Sequence, residues 1–296
     1  MGGVVVLGDL VTDVAVQTAG PVAVGSDTEA DVTVRGGGSA ANTACWLASI
    51  GVVTALVARV GNDAAGRARV QEIVDAGVTP VVSIDGRERT GTVVVLVGAD
   101  GERTMLTDRG ASRRLHAADL PATVLREAVH LHLSGYVLFD AGSRPAALEA
   151  KHRAREGGLT VSVDAASAAP LTRVGARAFQ RWTAGADLLL ANVDEARVLT
   201  GCPDPVEAAT RLAGCYDVAI VKAGAEGAVW AAGNRLWRCT AVPARVRDTT
   251  GAGDGFAAGL LAAWLTGAGP AESLAAGAAL AAVAVSIPGG RPGGTS

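Results

Sequence analysis

The stretch Arg247-Asp-Thr-Thr-Gly-Ala-Gly-Asp-Gly-Phe256 joins a glycine turn, a carboxylate and the start of a long apolar helix. Beyond the turn, Phe256, Leu260, Leu261, Trp264 and Leu265 recur at i, i+4, i+5, i+8 and i+9, which is one face of a helix. Gly251, Ala252 and Gly253 carry nothing larger than a methyl group. Their backbone N–H groups can therefore approach an anion closely, while the helix dipole adds partial positive charge. Asp254 follows at the helix start, beside that anion. A carboxylate there takes a proton or holds a metal, which reads as a phosphoryl-transfer site; the alternative is an aspartate that merely caps the helix after a loop. The upstream run Ala241-Val-Pro-Ala-Arg-Val246 reads as a strand end.

Composition narrows what surrounds this turn. The 296 residues are 49% hydrophobic and 19% charged, an ordered globular chain long enough for one large α/β domain or two smaller ones. Net charge is -3 and the basic residues are scattered, so no footprint for nucleic acid exists. Cys45, Cys202, Cys215 and Cys239 are far apart with no CxxC pair, which reads as reduced core cysteines in a cytoplasmic protein. His116, His130, His132 and His152 form no ligand pattern, and no basic segment precedes Val4–Leu7 to make a secretion signal. Gly255–Ala271 is apolar but built of Ala and Gly, with Pro270 breaking it and Glu272 following. It reads as a buried helix and not as a membrane span.

Working from the amino end, residues 3–8 (GVVVLG) form a β-branched run ending in glycine, as expected of a strand buried on both faces of a parallel sheet. Asp9 and Asp13 follow. Acidic residues beyond a strand's carboxyl end are placed to hydrogen-bond hydroxyls; Asp9 nevertheless reads as an ordinary turn residue, and for Asp13 both readings stay open. Residues 12–16 and 28–34 alternate polar and apolar, a half-exposed antiparallel pair. Gly36-Gly-Gly-Ser-Ala-Ala-Asn42 then opens a helix, either as a hydroxyl-binding device with Asn42 projecting from its first turns or as a tight turn with Ser39 as N-cap.

Residues 54–60 read as a second buried strand, followed by a helix through Arg67–Ala76. Residues 81–84 and 91–97 are strands, the latter turning at Ala99-Asp-Gly101 into 103–106. The two pairs together predict a small antiparallel sheet, formed by about residues 12–35 and 88–108, that acts as a lid. Arg109 lies near the mouth, where a cation could meet phosphate or an anionic substrate or could equally form a surface salt bridge. From residue 130 onward, apolar runs at 130–133, 160–163, 187–190 and 218–221 are each read as a strand followed by a helical stretch, which predicts a mainly parallel sheet. Asp164, Asn192, Glu195 and Lys222 fall at their carboxyl ends, where such sheets collect ligands. Asn192-Val-Asp-Glu195 is equally a capping box or a site facing metal or phosphate.

Two common nucleotide-binding patterns are absent. Lys151 and Lys222 are the only lysines and neither follows a glycine, so no P-loop exists; Gly8 is followed by Asp9, Leu10 and Val11 and not by a dinucleotide fingerprint.

With those classes set aside, Asp248-Thr-Thr-Gly-Ala-Gly-Asp254, Gly37-Gly-Ser-Ala-Ala-Asn42, Val60-Gly-Asn-Asp-Ala-Ala-Gly66, Asn192-x-x-Glu195 and Lys222-x-Gly-x-x-Gly227 stand in an order that resembles the PfkB, or ribokinase-like, family of carbohydrate and nucleoside kinases. The resemblance covers nearly the whole chain. It implies a single α/β domain over 1–296, a three-layer α/β/α sandwich with a mostly parallel central sheet and a small β-sheet lid. It also implies phosphate transfer from ATP with Mg2+ to a primary hydroxyl, with Asp254 as general base and Gly251, Ala252 and Gly253 as anion hole. Asp13, Gly37, Gly38 and Asn42 match sugar-binding positions. Asn192 and Glu195 match the region ordering Mg2+ and the ATP phosphates, with Glu195 acting on Mg2+ indirectly. Lys222, Gly224 and Gly227 match the nucleotide side, and Asp248 and Thr250 match positions that hold K+ in many members. A helix N-terminus is expected to lower the pKa of Asp254.

The chain departs from the family pattern at Ala278, where many members place an asparagine near the nucleotide, and in the glycine-rich segment Ser286–Gly290. The expected partner is a small-molecule sugar (ribose, fructose or keto-deoxy sugar acid) or a nucleoside, with a homodimer through the lid and neither nucleic acid nor membrane. A non-catalytic sensor of sugar or nucleoside is the alternative of another class. Its mark would be loss of the base or the glycine turn, and both are present.

Overall fold

The structure, a computed structural model, describes residues 2–98 and 103–293. Thirteen strands among them form two sheets. The larger contains β1 (Gly3–Leu7), β4 (Thr54–Gly61), β5 (Thr79–Asp85), β8 (Ala128–Ser134), β9 (Thr160–Asp164), β10 (Leu188–Asn192), β11 (Val218–Lys222), β12 (Ala228–Ala232) and β13 (Arg235–Cys239), in the spatial order β13-β12-β11-β10-β9-β8-β1-β4-β5. Every pair from β11 to β5 is parallel, and of the β12/β13 hairpin at the edge only β12 runs against that direction.

Side chains alternate across a strand, and the sheet's apolar runs use both faces. Val5 and Leu7 of β1, Leu131 and Leu133 of β8 and Leu189 of β10 enter one core, packed by helices that include Arg144–Glu156 and Pro205–Leu212. Val4, Val6, Leu188, Leu190 and Ile220 enter the other, under helices Ser39–Ser49, Ala252–Leu265 and Pro270–Ser286. The result is helix, sheet, helix in three layers. The last two helices explain the Ala and Gly richness of 255–284. A Cβ at Gly259 would sit 2.5 Å from the Ala276 carbonyl, so the two backbones approach as closely as they do only because side chains are minimal. No helix among the described residues is long and apolar enough to cross a membrane.

The smaller sheet holds β2 (Val11–Thr18), β3 (Ala30–Gly37), β6 (Thr90–Val97) and β7 (Arg103–Gly110) in the order β3-β2-β6-β7. Its outer pairs are antiparallel, but the central pair β2/β6 is parallel, so the expectation of a wholly antiparallel sheet is corrected. The reason is connectivity. β2 and β6 each enter after a crossing of the larger sheet in the same direction, and each then folds back on its own partner. The turn expected at Ala99-Asp-Gly101 lies outside the described residues.

Three further expectations change. β11 is followed by the β12/β13 hairpin and not by a helix. Residues 241–246 are not a strand end: the ladder finishes at the pair Ala228↔Cys239, where β12 begins, so the chain beyond has nothing to pair with. Of the cysteines, Cys45 and Cys202 are buried in the core, Cys239 is partly buried and Cys215 is exposed; all four are free thiols.

Candidate active site

Parallel strands end on one side of the sheet, so residues far apart in sequence meet there. Asp9 follows β1, Asp164 ends β9, Asn192 ends β10 and Lys222 ends β11, with Asn192 and Lys222 directly paired across the ladder. They line one cavity of about 1000 Å3, shared with the smaller sheet and with the Thr249–Asp254 turn.

The turn is built around Gly251, which holds the left-handed conformation at φ 75° and is the N-cap of helix Ala252–Leu265. Asp254 lies in the first turn of this helix but does not cap it. Its Oδ1 accepts from Ser39 Oγ at 2.8 Å and its Oδ2 from Asn42 Nδ2 at 2.9 Å. The capping reading of Asp254 is therefore excluded, and so is Ser39 as a cap, since Gly38 holds that position without a side-chain bond. Removal from water raises the Asp254 carboxyl from its ordinary value to about 6, against the opposing bonds from Asn42 and Ser39; the nearby Asp164 charge adds to the rise. The expectation of a lowered pKa is thus corrected: desolvation in the cavity wall outweighs the hydrogen bonds from Asn42 and Ser39. Of the three backbone donors in the turn, Ala252 N–H is directed at the Thr249 carbonyl at 3.3 Å.

At one end of the cavity, Asp13 on β2 and Asn42 in the first turns of helix Ser39–Ser49 face Asp254. A Cβ at Gly37 would collide with the Asp13 carboxylate, which is why that side chain can lie flat against the glycine turn. Gly38, at φ 101°, passes the Asp9 carbonyl just as closely. Burial raises Asp13 to about 6, opposed by Arg291 and reinforced by Asp254. Asp9 is not a turn residue as expected. It is 5% exposed and bonds the Arg109 guanidinium, and burial raises its pKa despite that cation. Arg109 also donates to Asp140 at 2.8 Å and to the Tyr136 carbonyl, and it lies over the Tyr136 ring. Its charge is already matched by two carboxylates, so it is not the free cation that an anionic acceptor would meet.

At the other end, Asn192 and Glu195 form a reciprocal capping box. Asn192 Oδ1 accepts from Glu195 N at 2.9 Å, and Glu195 takes Asn192 N and Nδ2 on its two oxygens, both at 2.8 Å. Glu195 also lines the cavity, and burial with the neighbouring Asp164 charge raises it to about 7. Lys222 Nζ donates to Asp164 Oδ2 at 2.7 Å and lies against Gly253. Burial alone would lower its pKa, but Asp164 and Glu195 more than offset this and keep it protonated. Gly224 and Gly227 border the remaining slot, whose walls include Val242, Val246, Ala278, Ala281, Ala282 and Val285.

Asp248 receives Thr250 N at 2.8 Å and Gly289 N at 2.9 Å, which ties the turn to the Ser286–Gly290 segment. No cluster of three or more His, Cys, Asp or Glu side chains able to hold a metal occurs among the described residues.

Sequence reasoning missed four residues of this site. Ser39, read only as a cap within the glycine motif, instead donates to Asp254, and Arg291 reaches Asn42 from a segment whose sequence carries no chemical signature. Tyr136 follows a short strand with no motif around it. Ala166, the only non-glycine residue at positive φ among those described, sits in the cavity wall beside Asp164, which accepts its N–H at 2.8 Å.

The pfkB family carbohydrate kinase pattern matches residues 1–294. The chain is 34% identical over 235 residues to an ATP-dependent ribose-1-phosphate kinase from Halopiger xanaduensis, covering 78% of this chain and 74% of that protein. It is 31% identical over 286 residues to a fructokinase from Klebsiella pneumoniae, covering 93% and 88%. Among solved structures, adenosine kinase from Sinorhizobium meliloti superposes with a TM-score of 0.90 at 26% identity, covering 98% and 96%.

Proposed function

Because the chain belongs to the pfkB family of carbohydrate kinases, phosphotransferases that act on sugar hydroxyl groups, we propose that it transfers the γ-phosphoryl group of ATP to a primary hydroxyl of a sugar. The observation that carries this reading is Asp254. It is a carboxylate raised to about 6, oriented by two hydrogen bonds and flanked by the backbone donors of Gly251–Gly253 and the Lys222 ammonium.

The acceptor would lie against Asp13, Gly37, Gly38 and Asn42, with the four-stranded sheet closing over it as a lid inserted in one domain. Its hydroxyl oxygen attacks the γ-phosphorus and the hydroxyl proton passes to Asp254. A new P–O bond forms, the bond to the β,γ-bridging oxygen breaks, and ADP leaves with that electron pair. A base near 6 is ionised at neutral pH yet still able to take the proton. The N–H groups of Gly251 and Gly253 and the Lys222 ammonium would meet the charge that spreads over the phosphoryl oxygens, while Ala252 N–H is turned to the Thr249 carbonyl.

When bound with the nucleotide, Mg2+ would supply positive charge to its phosphates. The carboxylate oxygens of Glu195 and Asp164 suit such a hard cation. Glu195 is already tied to Asn192 on both oxygens, so its contact would run through water. Asp248 and Thr250 are the proposed K+ ligands, on a turn held to the Ser286–Gly290 segment by the N–H groups of Thr250 and Gly289 on the Asp248 carboxylate.

Arg109, neutralised by Asp9 and Asp140, favours a neutral acceptor of ribose or fructose type over a keto-deoxy sugar acid. A nucleoside acceptor is the second reading. Val11, Val93, Val95 and Met105 of the smaller sheet give the acceptor end an apolar wall on which a base could rest. The test is a panel of sugars and nucleosides with ATP and Mg2+, with and without K+, followed as ADP release. Absence of ADP with every acceptor would favour the sensor.

A further inference from the structure

The segment Gly289-Gly290-Arg291 passes behind the acceptor end and touches three parts of the site at once. Gly289 N–H bonds Asp248, the Gly290 carbonyl accepts Trp46 Nε1 at 2.9 Å, and Gly290 packs against both Gly251 and the Asn42 amide. Arg291 then turns inward with its side chain 12% exposed. Its Nη2 donates to the Gly37 carbonyl at 2.7 Å, its Nε to Asn42 Oδ1 at 3.2 Å and its Nη1 to Glu72 Oε2 at 3.2 Å. Room for this is made in the sequence: a Cβ at Gly36 would collide with both the guanidinium and the Glu72 carboxylate.

The consequence falls on Asn42. Its amide has one accepting and one donating end, and the two partners that flank it are of opposite kind. A guanidinium can only donate and an ionised carboxylate can only accept. With Arg291 on Oδ1 and Asp254 on Nδ2, one orientation of the amide satisfies both neighbours, and the reverse satisfies neither.

We propose that Arg291 is a positioning residue for the acceptor: through Asn42 and the Gly37 carbonyl it fixes the acceptor-side turn and the donor presented to Asp254. This rests on the assignment of Asn42 to the acceptor and Asp254 to proton transfer. None of the three partners of Arg291 belongs to the Asn192, Glu195 and Lys222 end, so its influence stops at the acceptor.

The test compares Arg291→Met and Arg291→Lys with the wild type, each checked for folding by thermal melting. With an acceptor that the wild type turns over, Arg291→Met should raise the acceptor KM by about 10-fold or more, the scale of a lost charged hydrogen bond. The ATP KM should stay within about twofold, and Arg291→Lys, which keeps charge and a donor, should recover part of the loss. Equal rises in both KM values, or no change in either, overturn the assignment. If Arg291→Met does not fold, the same split measured in Arg291→Lys alone decides. If the wild type turns over no acceptor, the phosphotransfer reading fails separately, and ligand-free crystal structures of the variants decide. Displacement of Asn42 from Asp254 supports the inference, whereas an Asn42 still bonded at the wild-type distance with Gly37 unmoved overturns it.

Discussion

Asn42 Nδ2 lies 2.9 Å from Asp254 Oδ2 although 212 positions separate them in the chain. The two helices that carry them start at the same point of the cavity, one after the Gly36–Gly38 turn and the other after Gly251. A side chain read from one end of the sequence as a hydroxyl ligand and one read from the other as a base thus form a single hydrogen-bonded unit.

Replacement of Asp254 by Asn is the first consequence to measure. The amide keeps the volume but cannot take the proton, so ATP-dependent turnover should fall roughly 10²-fold or more with acceptor binding retained. Single-turnover ADP release and calorimetric acceptor titration separate the two effects. Unchanged turnover would remove Asp254 from the mechanism.

Asn42→Ala should raise the acceptor KM by about 10-fold, as expected for a hydrogen bond to a charged partner, with a smaller change in the ATP KM. Steady-state kinetics with each substrate varied in turn checks this. An effect confined to ATP would contradict the placement of Asn42 at the acceptor end.

Acid should silence the site near the raised value of Asp254. Only the ionised carboxylate accepts a proton, and its folded pKa stands at about 6 and not at 3.8, so kcat/KM is expected to fall as pH drops through about 6. A plateau in kcat/KM down to pH 4.5 would show that no group with this pKa controls the chemistry.

Stability should carry a different pH signature from His130 and His132. Both are fully buried between strands, with His130 bonded to Thr160 and Ser162 and His132 to Ser162, and burial lowers them to about 3 and about 4. The unfolded chain takes up protons near the ordinary imidazole value of about 6.5, while the folded chain does not until much lower pH. Their contribution is therefore complete above about 6.5 and lost as pH falls through that value toward 4. The raised carboxylates Asp13, Asp254 and Glu195 act in the opposite sense, so the comparison is between wild type and His130→Gln/His132→Gln. The variant's Tm should decline less steeply between pH 6.5 and 4; parallel slopes would contradict the assignment.

The slot beyond Gly224 and Gly227 makes a prediction about the phosphoryl donor. The wall residues Val242, Val246, Ala278, Ala281, Ala282 and Val285 offer a nucleobase contact but no side-chain hydrogen bond. A site that hydrogen-bonds a group rejects its absence by 10⁴-fold or more, whereas an apolar wall discriminates weakly. GTP should therefore replace ATP with kcat/KM within about 10-fold. A gap above about 10³-fold would mean that backbone groups read the base edge.

The sequence by itself determined the parallel sheet, because continuous apolar runs such as Val4–Leu7 and Leu188–Leu190 are those of strands buried on both faces, and alternation sends neighbouring side chains into two cores. It also determined the position of Asp254 and its glycine turn, since Gly251 holds a conformation that glycine adopts without strain. The tertiary structure decided the rest, wherever a property depends on what lies across space. Asp9 looked like a turn residue until Arg109 folded onto it, and only that contact chose, for Arg109, between a cation facing substrate and one held in ion pairs. Asp254, expected to be acidified at a helix terminus, is raised by desolvation, a property of the cavity wall and not of the helix. β2 and β6 lie parallel because crossings of the larger sheet fix their direction, which neither strand's own alternation encodes. Arg291 has no motif around it, and only the packing of Gly36 and Gly290 against its neighbours brings it to Asn42.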